Sequence, residues 1–345
     1  MKIHFTLNDE INIMPGINLV EGRILQCISR MRPQLDLVFM VDSTYALTGN
    51  DYIKMVVVEE DTFYETLFHI KKSTDTPIIN NQKEINISAL LTVNDLEDNI
   101  YNNLSYNTNI NQTIKELFNN EVETIAISTP ISDPPFILEM QTKKEFLEDH
   151  TDENFIYFSI DGKLRIAGYS ELMEKESEIS ITLPSPSITS MEMVINDIRV
   201  KEYLKKQKYI WYNWEKGEFE EQTITPEKDY PELKSILKEN DNGENIFMAG
   251  TVYDVISSQK KKERNLKRVE KYIPFLNRQS FLWTNHPLII PGETINITHI
   301  EHTAVGTKPT VDPIKSDKYL ISSIATILKD ELISKFTVVR IGVGK

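Results

Sequence analysis

Alternating apolar and polar positions dominate the first hundred residues and predict strands at 18–31, 35–41, 52–59, 63–71 and 85–93. The β-branched run Met55-Val56-Val57-Val58 and turn signals at Thr48-Gly49-Asn50-Asp51 and Asp61 support this reading. Short strands at close spacing, with no helical period between them, predict a closed barrel or sandwich.

The pattern changes after Asn94. Ile110, Ile114, Leu117 and Phe118 recur at helical spacing, predicting a helix over 111–122, with a shorter one at 95–102. Beyond Pro130, Pro134 and Pro135 a strand at 136–140 is expected, then a short helix at 143–150 capped by Thr142. Asp161-Gly162 between two apolar runs predicts a hairpin of 154–160 with 163–169, with positive φ at both turn centres. Strands return at 179–183, 187–197 and 209–214. A charged stretch follows at 215–229, then a helix at 231–239 and a longer one at 251–272, whose Val252, Val255, Ile256, Leu266, Val269 and Ile273 share a face. Strands at 275–284, 288–298, 318–328 and 332–343 complete the pattern. No repeat of 20–50 residues is visible, although the two strand-rich regions could be copies of one fold diverged past detection.

At 345 residues the chain has room for more than one packed unit. Its formal charge of −14 argues against a surface that grips phosphate backbones throughout. Cys27 is the sole cysteine, so neither an intrachain disulfide nor a thiolate metal cluster is expected. No secretory h-region follows Met1 and no apolar run approaches the ~20 residues of a membrane helix.

The residues offer little catalytic chemistry. No GxSxG elbow and no strand-linked GxGxxG is present, and Gly342-Val343-Gly344-Lys345 lacks the rest of a phosphate loop. His299 and His302 have the wrong spacing for a helical zinc pair and would face opposite sides of a strand. No enzyme activity, cofactor or metal is therefore expected. Two clusters remain as protein–protein contact candidates. One is the basic run Lys260, Lys261, Lys262, Arg264, Lys267 and Arg268, extended by Lys271, which reads either as a solvated helix face or as a dock for an acidic partner. The other is Trp211 and Trp214, fitted to packing or an oligomer contact ahead of sugar stacking.

Three stretches resemble the central hub proteins of contractile phage baseplates and related injection machines. The first joins Phe136-Ile137-Leu138-Glu139-Met140-Gln141, Thr142-Lys143-Lys144-Glu145-Phe146-Leu147, Asn154-Phe155-Ile156-Tyr157-Phe158 and Gly162-Lys163-Leu164-Arg165-Ile166. The second is Pro291-Gly292-Glu293-Thr294-Ile295-Asn296-Ile297. The third is Tyr319-Leu320-Ile321-Ser322-Ser323-Ile324 with Phe336-Thr337-Val338-Val339-Arg340. The resemblance implies a mainly β fold with α+β insertions: a first, tube-facing barrel at 1–98, an α/β domain at 99–176, a second barrel split between 177–230 and 282–345, and a helical insertion at 231–281. It further implies a homotrimer, assembled in the host cytoplasm and located in the virion tail baseplate. Six barrels would form a pseudo-sixfold ring between a threefold central spike and sixfold tail-tube rings, beside other baseplate proteins. DNA would pass through the ring without specific binding. The alternatives are a tail-borne cell-wall hydrolase, a carbohydrate-binding tail-tip protein, or another barrel-bearing tail component.

Overall fold

The computed structural model describes residues 2–59, 62–78, 80–93, 154–168, 174–195, 197–213, 216–226, 258–301, 310–312, 315–329 and 332–340, with short pieces at 96, 105–106, 114, 117–118, 124–126, 136–137, 142–149, 172 and 244–248. The chain opens with two strands the pattern did not predict, β1 (Lys2–Leu7) and β2 (Ile11–Ile13), and alternation then produces the expected β3 (Leu19–Cys27), β4 (Gln34–Asp42), β5 (Tyr52–Glu59), β6 (Thr62–Pro77) and β7 (Gln82–Leu91). They pair in the order β3-β4-β7-β6-β5-β1-β2. Phe5, Ile13, Ile24, Leu37, Ile53, Phe68 and Ile87, drawn from edge and central strands alike, share one buried cluster, so the sheet curls around its core.

The middle of the chain supplies β8 (Ser105–Tyr106), β9 (Thr124–Ala126), β10 (Phe136–Ile137), helix α1 (Lys143–Asp149), β11 (Asn154–Phe158) and β12 (Leu164–Gly168). Thr142 caps α1 as expected: the Glu145 N–H donates to Thr142 Oγ1 (3.1 Å) and the Thr142 N–H to Glu145 Oε2 (2.8 Å). The hairpin β11–β12 also forms, but only Gly162 takes positive φ (81°), with its N–H bonded to Ser159 O (3.0 Å). The turn is thus the longer kind that ends on one left-handed residue. Phe146, Leu147, Phe158 and Leu164 from this unit, with Ile114 and Phe118, join the first half's core. The expected helix at 95–102 and most of that at 111–122 lie outside the described residues, though Phe118 N–H donates helically to Ile114 O (3.0 Å).

The second strand-rich region holds β13 (Ile179–Leu183), β14 (Ile188–Val194), then helix α2 (Ile198–Tyr203), β15 (Lys206–Asn213), β16 (Glu218–Ile224), β17 (Glu244–Met248) and helix α3 (Ser258–Glu270). A 3-10 turn (Ile273–Leu276) leads into β18 (Arg278–Thr284), β19 (Thr294–Glu301), β20 (Thr310–Val311), β21 (Asp317–Leu328) and β22 (Leu332–Arg340). Here the pairing order is β14-β18-β22-β21-β19-β13. Ile181, Ile188, Phe281, Ile297, Ile321 and Phe336 converge on a second buried cluster, in which the Phe281 and Phe336 rings stack at 5.4 Å.

One expectation needs correcting. The strand near 209–214 was expected in the second barrel, but β15 pairs with β16 and β17 in a separate three-stranded sheet. Leu204, Tyr209, Trp211 and Ile224 pack there against Val269, Ile273 and Leu276, forming a core of their own. Asp197 ends the preceding strand by accepting the Arg199 N–H (2.9 Å) and capping α2, which diverts the chain out of the barrel sheet. The helix expected at 231–239 lies outside the described residues.

Candidate assembly surface

The two curled sheets are one. β21 pairs with β22 along its length, while its other side changes partner midway. Asp317–Leu320 faces β19, and Ser323–Leu328 faces β3 of the first half in antiparallel register, with Thr326 opposite Ile24 and Leu328 opposite Gly22. A β-carbon at Gly22 would lie 3.0 Å from Leu37 Cδ2 and 3.1 Å from Leu328 Cβ, so glycine lets the strands meet there. Leu328 belongs to the first core, and the Leu288 N–H donates to Glu59 Oε2 (2.6 Å).

A fourth buried cluster locks the parts together. Ile28 comes from the first half, just after β3, Phe155, Tyr157, Ala167 and Leu172 from the α/β unit, and Leu320 and Val339 from the second half. The buried Tyr157 hydroxyl donates to Pro291 O (2.7 Å), and Gly292, at φ 89°, leaves room for it. A β-carbon at Gly292 would sit 2.0 Å from that hydroxyl oxygen. Burial pushes the Tyr157 phenol well above its ordinary value, so it stays a neutral donor.

The predicted contact residues divide. Trp211, on β15, is 2% exposed, packed with Val269, Ile273 and Leu276, and offers no ring to a partner; of its two readings the structure selects packing over a contact. Its alternation on β15 could place it on a face but could not say that a helix covers that face. Trp214 lies outside the described residues. Lys262 is exposed on α3, while Lys267 and Arg268 are half-buried; Lys260, Lys261 and Arg264 lie on the same helix, their side chains outside the described set. Part of this basic run faces inward. Buried Asn265 donates to Gln222 (3.0 Å), Arg268 donates to Asn265 (3.4 Å), and Lys271 donates to Asn154 O (3.1 Å) from above the Phe155 ring. The helix therefore ties the inserted sheet to the α/β hairpin, a role its charge pattern did not reveal.

Buried polar groups gather in the second half. His286 Nε2 meets Ser334 Oγ at 2.6 Å, and Ser334 meets Thr326 Oγ1 at 2.9 Å, beside the β3–β21 ladder. Burial holds the His286 imidazole below its ordinary pKa, keeping it neutral among Trp283 and Phe336. No group of three or more His, Cys, Asp or Glu suited to a metal occurs among the described residues, and no described helix is long and apolar enough to cross a membrane. Open strand edges among the described residues include β14 at one end of the sheet, β2 at the other, β13, and the last third of β6.

No protein-family model and no curated protein matches the sequence. Solved structures do. A 43 kDa tail protein of prophage MuSo2 from Shewanella oneidensis is 12% identical, with a TM-score of 0.64 over 100% of both chains. A tail protein from Neisseria meningitidis MC58 is 11% identical, with a TM-score of 0.65 over 100% of this chain and 98% of that one. The E. coli c3393 protein, a type VI secretion system component described as similar to the T4 tail proteins gp27 and gp5, is 10% identical, with a TM-score of 0.56 over 97% of this chain and 76% of its own. At such identities the likeness is one of fold, and the chain has the fold of these tail proteins.

Proposed function

We propose that this chain is a structural, non-enzymatic component at the hub of a phage tail or related injection machine. It acts as a homotrimer in which two barrels per chain make a pseudo-sixfold ring, adapting a threefold central spike to a sixfold tail tube. The observation that carries this reading is the repeated strand order: β3-β4-β7-β6-β5-β1 in the first half and β14-β18-β22-β21-β19-β13 in the second. Two similar units in one chain, already fused edge to edge, are what a threefold assembly needs to present six near-equivalent units. Full-length likeness in fold to the Shewanella and Neisseria tail proteins supports the same reading.

On this proposal the first barrel takes residues 1–98 and the α/β domain 99–176. The second barrel is drawn from 177–197 and 278–345, since the separate sheet moves 198–277 into the insertion. Assembly takes place in the host cytoplasm and the product resides in the virion tail baseplate. With a chain charge of −14, DNA would pass through the ring without sticking. The test is native mass measurement of the purified protein, alone and with candidate spike and tube proteins. A trimer that captures both is expected; a stable monomer indifferent to both would sink the reading.

A further inference from the structure

The join between the halves has an unfilled counterpart. In β21 the ladder to β22 shifts register between Ile321 and Ser323, and the strand's other side passes from β19 to β3 at that point. In β6 the ladder to β7 shifts between Ile70 and Lys72, and the strand's other side loses β5 after His69. Lys72–Pro77 therefore corresponds to Ser323–Leu328, which β3 covers. Yet residues 71–78 are all exposed, whereas 321–328 are buried or half-buried throughout.

The free edge β14 is likewise the counterpart of β3. The row Leu320, Val339, Arg278, Val194 across β21, β22, β18 and β14 matches the row His69, Leu90, Gln34, Leu25 across β6, β7, β4 and β3. Backbone directions agree with a join. Ile78 N–H donates to Gln82 O (2.9 Å), so alternation aims the N–H and C=O groups of Ser73 and Asp75 at the open side. Arg340 N–H donates to Asn277 O (2.9 Å), which turns Val194 toward β18 and leaves Met193 and Ile195 facing outward. Exposed apolar residues flank both edges: Ile78 at 42% and Ile195 at 56%. The open stretch of β6 also carries Lys71, Lys72 and Pro77, the residues that keep an edge from pairing indiscriminately.

We infer that the open side of β6 in one copy pairs, antiparallel, with the free edge of β14 in a second copy of this chain, repeating the β21–β3 join between chains. The inference rests on the ring reading above and names the contact that closes the ring. The matched rows set Val194 opposite Thr74, as Leu25 stands opposite Ala325. Matching instead the register shift of β14 (Ser190/Glu192) to that of β3 (Leu19/Glu21) sets Val194 opposite Thr76. Both choices keep the same face and confine Val194 to this stretch. The contact is heterologous, so its repetition around a threefold axis closes a ring and covers both of these edges in every copy.

The experiment uses the full chain with Cys27→Ser, adding Val194→Cys together with Thr74→Cys or Thr76→Cys. Both pairs are of the non-hydrogen-bonded kind, whose Cα separation of about 4.5 Å admits a disulfide. Oxidation of one double variant is expected to give covalent products up to the mass of the native ring and no further, while single-cysteine variants give none. Asp75→Pro removes a donor aimed only at the open side, and costs an exposed ion pair to Lys83 (3.0 Å). It is expected to keep the wild-type circular dichroism and melting temperature while shifting the mass to monomer. A wild-type ring that neither pair cross-links, or that survives Asp75→Pro, overturns this join and leaves the ring reading standing. Single-cysteine variants that cross-link into dimers overturn it in favour of symmetric edge pairing. A wild-type protein that stays monomeric overturns both.

Discussion

The two curled halves share a strand order but not a composition, and the contrast shows how one plan is adapted to two settings. The first half is continuous in sequence and buries few polar residues, Gln26, Asp51 and Thr66 among those described, around a core that runs from Leu7 and Phe39 to Val57 and Phe68. The second is interrupted after β14 by the inserted sheet and buries Gln279, Ser280, His286, Ser322, Thr326 and Ser334. Its last neighbour pair also differs: β1 and β5 are antiparallel, whereas β13 and β19 are parallel. Both halves meet at the β3–β21 ladder, and the α/β unit packs into the first core through Phe146, Leu147, Phe158 and Leu164 and against the second half through Phe155 and Tyr157. In the second half His286, Ser334 and Thr326 satisfy one another, and the Ser322 hydroxyl donates to Thr337 O (2.9 Å). The first half keeps an open edge; the second has spent its equivalent on the first.

The largest effect that tests this contrast is core truncation. Phe336→Ala removes one ring of the stacked pair with Phe281 and should cost about 3–5 kcal/mol, as should Phe39→Ala in the first half. Because one ladder runs through both halves, each variant should lower a single unfolding transition by calorimetry. A Phe336→Ala protein whose first half melts at the wild-type temperature would show that the β3–β21 ladder does not couple them. Next comes the ladder itself. Gly22→Val forces atoms into a gap closed by Leu37 and Leu328 and should cost about 1–3 kcal/mol, seen by hydrogen exchange as faster opening in β3 and β21 together. Loss confined to β3 would argue that the halves merely touch.

The smallest effect is a pH dependence seated in the second half. Burial lowers the pKa of His286, so between its folded value and the ordinary 6.5 the unfolded chain binds more protons. Its stabilising contribution is complete above about pH 6.5 and is lost as pH falls toward the folded value, at no more than about 1.4 kcal/mol per pH unit. His299, lowered chiefly by burial, acts in the same sense. Glu293 is raised by burial and acts oppositely: the stability it contributes at low pH is lost as pH rises through its folded pKa. Urea titrations from pH 7 to 5.5 should therefore show a slope that His286→Asn reduces but does not abolish. An unchanged slope would remove His286 from the account.

Local features were legible where local physics decides them. The Thr142 cap needs only Glu145 three residues on, and the strands of the first half need only alternation. Trp211 stayed open between packing and a contact for a non-local reason: alternation assigns a face, but α3, much later in the chain, decides whether that face is covered. The basic run has a partner that spacing could not show, since Lys271, just past α3, reaches Asn154 across more than a hundred residues. The strand Glu218–Ile224 went unseen because its burial is too slight to leave an apolar pattern among the charges.

By itself the sequence determined the elements: which segments alternate, where helices start, where glycine permits a turn, and that the whole is mainly β. Tertiary structure alone decided which strand lies beside which. Register between β21 and β3 is set by Gly22 admitting Leu328 and by cores that close only when distant segments meet, and such pairings leave no mark in the spacing of either strand. For the same reason a strand order repeated in both halves is plain in the sheet and invisible along the chain.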